Sequence, residues 1–431
     1  KLSWIIPILL FPVFGGIFYL FYRQTKISKK ITERHLKIDL NRKSYIDAPK
    51  PLKHHKIASY LHDLNYPYYD NTDITFLGSG EKKLSHLIED LKKAKTFIFL
   101  EYFIISKGHM WNEILNVLLE KVKEGLDVKI IYDDFGSSEK LPAKYYKKLI
   151  KLGLDVVLFN PMKPHLNFAM NYRDHRKIIV IDNKIAYTGG INIGDEYINI
   201  KKRFGHWQDA AIRLEGDAVW TLTITFLENY QFSTKKVLDF NIYKHPHKKQ
   251  GSGMVIPFAD TPLDQELTTK NIYLNLISQA EESIDITTPY LIIDHELSTA
   301  LKLASRSGVK VRIIIPKIAD KKLVYMVTET YMKELIESNV ELYTYDPGFI
   351  HSKMVIVDQK CAMIGTANFD FRSLYLHFEN SCYLESSQAI KDMHLYFLDS
   401  LSQSSQVIKM KERNILYKAF QMFLRGFAPL M

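Results

Sequence analysis

Two cysteines, Cys361 and Cys382, are the only thiols in 431 residues. That excludes a disulfide framework, and with it any argument for an oxidising compartment. No Walker-type phosphate loop occurs, and no His, Cys and carboxylate set has metal-ligand spacing. The sequence therefore calls for no cofactor and no metal. Acidic residues are the minority, 48 against 58 Lys and Arg, for a net charge of +10. A nucleic-acid binder usually carries its positive charge on the folded domain. Here residues 61–404 sum to −3, residues 1–60 to +9 and the last 27 residues to +4. Nucleic acid is not an expected partner. The 46% hydrophobic content excludes a disordered or fibrous chain.

The placement of the charge points to a membrane. Leu2–Tyr22 contains no charged residue, and at 1.5 Å per residue it would span about 30 Å, one hydrocarbon core. Trp4, Tyr19 and Tyr22 lie near its ends, where interfacial aromatics sit. No small-residue cleavage site follows it, which disfavours a signal peptide. The expectation is a transmembrane helix over 1–22, then a basic juxtamembrane linker over 23–60 that attracts anionic lipid headgroups. By the positive-inside rule the rest of the chain is expected on the cytoplasmic side of the cell membrane. Residues 406–431 read as a basic amphipathic helix, able to lie on a bilayer or to pack on the domain.

From residue 72 short β-branched runs alternate with amphipathic stretches, which reads as α/β. The order then recurs. Ile284–Leu291 answers Thr96–Ile105, Val309–Ile315 answers Val128–Tyr132, and Val340–Tyr345 answers Val156–Phe159. The expected fold is a duplication, with domains over 61–240 and 241–405.

The repeats converge on one pattern. His175-Arg-Lys177 leads to Asp182 and Asn192; His351-Ser-Lys353 leads to Asp358 and Asn368, with identical spacing. His and Lys two apart on a strand point to one face. Two halves packed about a pseudo-two-fold axis would bring two imidazoles and two ammonium groups into one cleft. Such a cleft suits a phosphate diester: the cations and the Asn amides hold its oxygens, one His attacks phosphorus and the other protonates the leaving oxygen. Asp182 and Asp358 complete the motif, yet five residues past the Lys they fall on the opposite strand face, a structural position.

These paired His-x-Lys-x4-Asp motifs resemble the phospholipase D superfamily, and within it the bacterial cardiolipin synthases. Asn171–Lys177, Gly189–Tyr197, Pro347–Lys353 and Gly365–Ser373 support the resemblance. That family commonly has two N-terminal hydrophobic segments; this sequence shows one. The resemblance implies two phospholipase D-like α/β/α domains and a catalytic set of His175, Lys177, Asp182, His351, Lys353 and Asp358. His175 would be the nucleophile and His351 the general acid and base, with Lys177, Lys353, Asn192 and Asn368 holding the phosphate. Asp209 and Glu379 occupy the same place in the two repeats, and such carboxylates orient the histidines in this superfamily. Glu196, Tyr290 and Glu101 are candidate substrate contacts. The implied reaction joins two phosphatidylglycerols into cardiolipin and glycerol through a phosphatidyl-histidine. Hydrolysis of phospholipids uses the same residues and stays open, because no single residue encodes the acceptor; the acidic balance of residues 61–404 and the anchor argue against a nuclease of the same superfamily. Oligomeric state is not legible.

Overall fold

The computed structural model describes residues 8, 12–13, 15–16, 29–46, 55–161, 171–264 and 266–430. Two sheets carry the fold. The first half contributes β1 (Thr72–Leu77), β2 (Phe97–Tyr102), β3 (Asp127–Asp133), β4 (Asp155–Phe159), β5 (Arg173–Asp174), β6 (Lys177–Ile181), β7 (Ile185–Gly189), β8 (His206–Gln208) and β9 (Ala211–Gly216). The second contributes β10 (Met254–Asp260), β11 (Ser283–Thr287), β12 (Leu291–Ile292), β13 (Lys310–Pro316), β14 (Glu341–Tyr345), β15 (Gly348–Ile350), β16 (Met354–Val357), β17 (Cys361–Gly365), β18 (Phe369–Asp370), β19 (His377–Glu385) and β20 (Ser404–Gln406).

The strand orders are β1-β9-β7-β6-β2-β3-β4 and β10-β19-β17-β16-β11-β13-β14-β20. Apart from the added β20 they match position for position, so the repeated sequence order is a repeated sheet. The central strands Phe97–Tyr102 and Lys177–Ile181 are buried throughout, as strands covered on both faces must be. Apolar packing joins the halves: Phe99, Val180, Leu222 and Phe226 belong to the same core as Ile356, Leu384 and Phe397. Cys382 lies buried within β19, and Cys361 opens β17 half-buried.

Five helices matter below: α1 (Lys29–Tyr45), α2 (Val219–Thr234), α3 (Lys322–Ile336), α4 (Phe371–Tyr375) and α5 (Ile415–Arg425). The polar stretch read as a linker is in part helix α1, which docks on α2. The contact is in part apolar, through Ile31, Ile38 and Tyr45, and in part ionic: Arg42 Nε donates to Glu228 Oε1 at 3.0 Å, both side chains are buried, and the guanidinium lies 4.4 Å from the Tyr66 ring centre. A charge count sees only solvated residues there, because charged residues share the docking face. Leu2–Tyr22 lies outside the described residues except for Ile8, Pro12, Val13, Gly15 and Gly16. Among the described residues no helix is long and apolar enough to cross a membrane.

Candidate active site

The motif aspartates explain their own spacing. Asp182 and Asn183 take φ values of 55° and 54°, and Asp358 and Gln359 take 52° and 53°. Each pair makes the tight turn between β6 and β7 or β16 and β17, where Asp tolerates a left-handed backbone. Asp182 accepts from the N–H groups of Lys95, Thr96 and Phe97 and from the Thr96 hydroxyl, at 2.7–3.0 Å. Burial would raise its carboxyl, but these donors hold it below the usual range. Asp358 accepts from Glu281, Glu282 and Ser283 N–H groups at 2.8–2.9 Å. Both carboxylates clamp the chain at these turns. Asp182→Ala is expected to cost about 3 kcal/mol, the worth of hydrogen bonds to a buried charge. A lowered denaturation midpoint, with turnover per folded molecule kept within about tenfold, checks this.

The cleft is built by strand pairing across the halves. β5 pairs in parallel with β19, Asp174 opposite Phe378, and β15 pairs with β8, Ile350 opposite Gln208. His175 N–H then donates to Phe378 O at 2.9 Å and His351 N–H to Gln208 O at 2.7 Å. One residue further along, each imidazole meets the carboxylate of the opposite repeat. His175 Nδ1 lies 3.0 Å from both Glu379 oxygens, and His351 Nδ1 lies 2.7 Å from Asp209 Oδ2. Each carboxylate thus sits beside the histidine of the opposite repeat, so the pairs are crossed.

All four groups are buried. Burial drives His175 down to about 3, with Glu379 opposing and Lys177 assisting, and His351 down to about 4, assisted by Lys353 and opposed by Asp209. Burial thus favours the neutral ring, while the carboxylate facing each Nδ1 favours the imidazolium. Burial would raise the carboxyls, but His175 holds Glu379 well below its usual range, and His351 with Lys353 lowers Asp209. Lys177 and Lys353 fall to about 8 and about 7 by burial, and Lys177 depresses Lys353 further, so the two ammonium groups feel one another. Each Nζ donates to the carbonyl of its motif histidine, Lys177 at 2.6 Å.

The remaining predicted residues divide. Asn192 is buried, accepting from Ile104 N–H and donating to the Tyr197 hydroxyl at 2.7 Å; the Tyr197 ring lies edge-on to His351. Asn368 donates to Asp370 Oδ2 at 2.9 Å, and its buried Oδ1 has no hydrogen-bond partner. Glu196 is buried 3.7 Å from Lys140 Nζ, and Tyr290 donates to Asp320. Glu101 is fully buried, accepting from Asn229 at 2.8 Å beside Arg176, which makes it framework and not a substrate contact.

Sequence reading missed His377. Its ring lies 5.4 Å from that of His175. Arg372 Nε donates to its Nε2 at 3.2 Å, leaving the proton on Nδ1, which faces Glu379 Oε1 at 3.5 Å. The repeat alignment contained the signal: two residues before Asp209 stands Trp207, whose ring lies 5.2 Å from His351. His175, His377 and Glu379 bring three potential metal donors within 4.8 Å of one another, although the Glu379 oxygens already serve His175 and the Thr366 hydroxyl. Because His377 shares the Glu379 charge, His377→Phe should concentrate that charge on His175 and raise its basicity. The acid limb of kcat/KM against pH is expected to move to higher pH; an unmoved limb contradicts the sharing.

A duplicated cleft with two His–carboxylate pairs and two lysines defines a phospholipase D-like protein. The family model for the "Cardiolipin synthase, PLD-like domain" matches residues 87–202 and 273–401, and the chain belongs to that family. It is 34% identical to a cardiolipin synthase of Alkalihalophilus pseudofirmus over 100% of this chain and 88% of that protein. It is 35% identical to cardiolipin synthase 2 of Bacillus anthracis over 100% of this chain and 86% of that protein. Among solved structures, phosphatidylserine synthase of Haemophilus influenzae shares the fold, with a TM-score of 0.65 and 18% identity, over 86% of this chain and 97% of that one.

Proposed function

We propose that the protein is a phosphatidyltransferase that makes cardiolipin from two phosphatidylglycerols. The observation that carries the reading is the pair of buried, carboxylate-oriented imidazoles, each beside a lysine of its own motif. In the first step His175 Nε2 attacks the phosphorus of one phosphatidylglycerol. The phosphorus–oxygen bond to glycerol breaks, and His351, carried as imidazolium against Asp209 and the bound diester, gives its proton to the leaving oxygen. In the second step the headgroup hydroxyl of another phosphatidylglycerol gives its proton to His351 and attacks the phosphohistidine. The phosphorus–nitrogen bond breaks, His175 leaves neutral and cardiolipin is released. Lys177 and Lys353 hold the non-bridging oxygens, joined by Asn192 and Asn368 on modest side-chain movement. Glu196 and Tyr290 would contact the headgroups. Leu2–Tyr22 would anchor the chain in the cell membrane, with the catalytic halves on the cytoplasmic side.

Purified protein with phosphatidylglycerol in detergent should yield cardiolipin and glycerol in equal amounts. Phosphatidic acid without cardiolipin would make it a hydrolase.

The lysines also set a pH dependence. Free enzyme loses ammonium charge as pH rises through about 7 for Lys353 and about 8 for Lys177. The phosphate-binding form is therefore the low-pH form, and kcat/KM should fall on the alkaline side of that window. A bound diester stabilises both ammonium groups, so the limb in kcat should lie at higher pH. Profiles of the two parameters at constant ionic strength check the separation.

A further inference from the structure

Helix α5 is mounted with its polar face inward. Asn414 caps its start by accepting from Tyr417 N–H at 2.8 Å. The residues turned to α3 are hydrogen-bonding ones: Tyr417 donates to Glu329 at 2.9 Å, Gln421 donates to Glu329 and to Met326 O at 2.9 and 3.0 Å, and Arg425 pairs with Glu334. Leu424 is the one apolar residue of the helix that is buried. The opposite face is apolar. Leu416, Phe420 and Phe423 fall within an arc of about 60° at 100° per residue. All three are exposed, Leu416 at 78% and its neighbour Ile415 at 81%. The rings continue as a ladder, Phe420 to Phe423 at 6.4 Å and Phe423 to Phe427 at 5.1 Å. A helix that only completes a soluble core does the reverse, burying its apolar stripe.

The surroundings select an occupant. Lys409 and Lys411, in the segment that leads into α5, are exposed against Glu412 alone, whereas Arg413 and Arg425 are spent on Glu329 and Glu334. An apolar stripe flanked by unpaired lysines is complementary to an anionic bilayer surface: the rings enter the acyl boundary and the ammonium groups meet phosphates. The end of the helix is also tied to the site. The turn Ala428–Leu430 that follows α5 packs on α4, and Arg372 of α4 donates to His377 beside His175.

We propose that the outer face of α5 is a docking surface for anionic lipid bilayers that seats the catalytic cleft on the membrane. The proposal rests on the reading of the substrates as phospholipids. Docking here would shorten the path by which a headgroup leaves the surface and reaches His175.

Two measurements on the full chain test it. In a Cys361→Ser background, where buried Cys382 remains, an environment-sensitive fluorophore is placed through Phe420→Cys or, on the other face, Lys418→Cys. Vesicles of phosphatidylglycerol should blue-shift the probe at 420 and bring it within reach of lipid-chain quenchers, with a smaller response at 418. Phosphatidylcholine vesicles should give a weaker response. A probe at 420 that is shielded before lipid is added, or that responds identically at 418, overturns the proposal; in that case a second copy or another part of this chain covers the face. The second measurement uses Leu416→Gln/Phe420→Gln/Phe423→Gln. KM for vesicle-borne phosphatidylglycerol should rise at least tenfold, while turnover of monomeric short-chain phosphatidylglycerol stays at the parent value. Equal kinetics on vesicles would refute docking. Absence of turnover on both substrates in the parent protein would instead refute the proposed function.

Discussion

His175→Asn is expected to abolish turnover, by about 10⁴-fold or more, and to form no covalent intermediate with any donor. His351→Asn should lose turnover of phosphatidylglycerol to a similar degree, yet differ in kind. With a donor whose leaving group departs unprotonated, such as a p-nitrophenyl phosphatidyl ester, no general acid is needed in the first step. His351→Asn should then release a burst of one p-nitrophenolate per site and stall, because the acceptor hydroxyl has no base. Each imidazole has Nδ1 facing a carboxylate, which leaves Nε2 for chemistry, and burial favours His175 as the neutral nucleophile. A burst from His175→Asn and none from His351→Asn would exchange their roles.

The second large effect follows from the crossing of the pairs. Glu379 belongs to the second repeat but orients His175; Asp209 belongs to the first but orients His351. Losing the orienting charge leaves the ring without a fixed tautomer, at a cost of roughly 10²–10⁴ in kcat. Glu379→Gln should therefore slow the burst with the activated donor, whereas Asp209→Asn should leave the burst within about threefold and slow only acceptor transfer. Residues acting as a unit are non-additive, so His175→Asn/Glu379→Gln should be no slower than His175→Asn. A burst sensitive to Asp209 and indifferent to Glu379 would mean that the pairs are not crossed in solution.

Much of this site is legible in the sequence because the motif is duplicated around a β-branched run. Each His and Lys stand at the start of that run and each Asp just past its end, which separates the cleft from the turn clamps. The duplicated order of β-branched runs gives the paired sheets for the same reason. The crossing is not legible: it depends on which short strand β5 and β15 meet in the other half, a tertiary choice that spacing does not encode. His377 was hidden because its repeat counterpart is Trp207, so no shared residue type marked the position. Helix α1 was hidden because it docks in part through Arg42 and Glu228, two charges that a composition reading assigns to solvent. In the tail the amphipathic pattern of α5 is legible but its direction is not, since α3 offers carboxylates where a core would offer apolar side chains.

The central claim is that His175 carries the phosphatidyl group between donor and acceptor. Wild-type protein mixed with phosphatidylglycerol and quenched in alkali, where a phosphorus–nitrogen bond survives, can be digested and mapped by mass spectrometry. The account predicts one phosphatidyl adduct, on the peptide containing His175, that disappears as cardiolipin forms on a chase with excess phosphatidylglycerol. An adduct on His351, or cardiolipin formed at full rate with no adduct on either histidine, would contradict it.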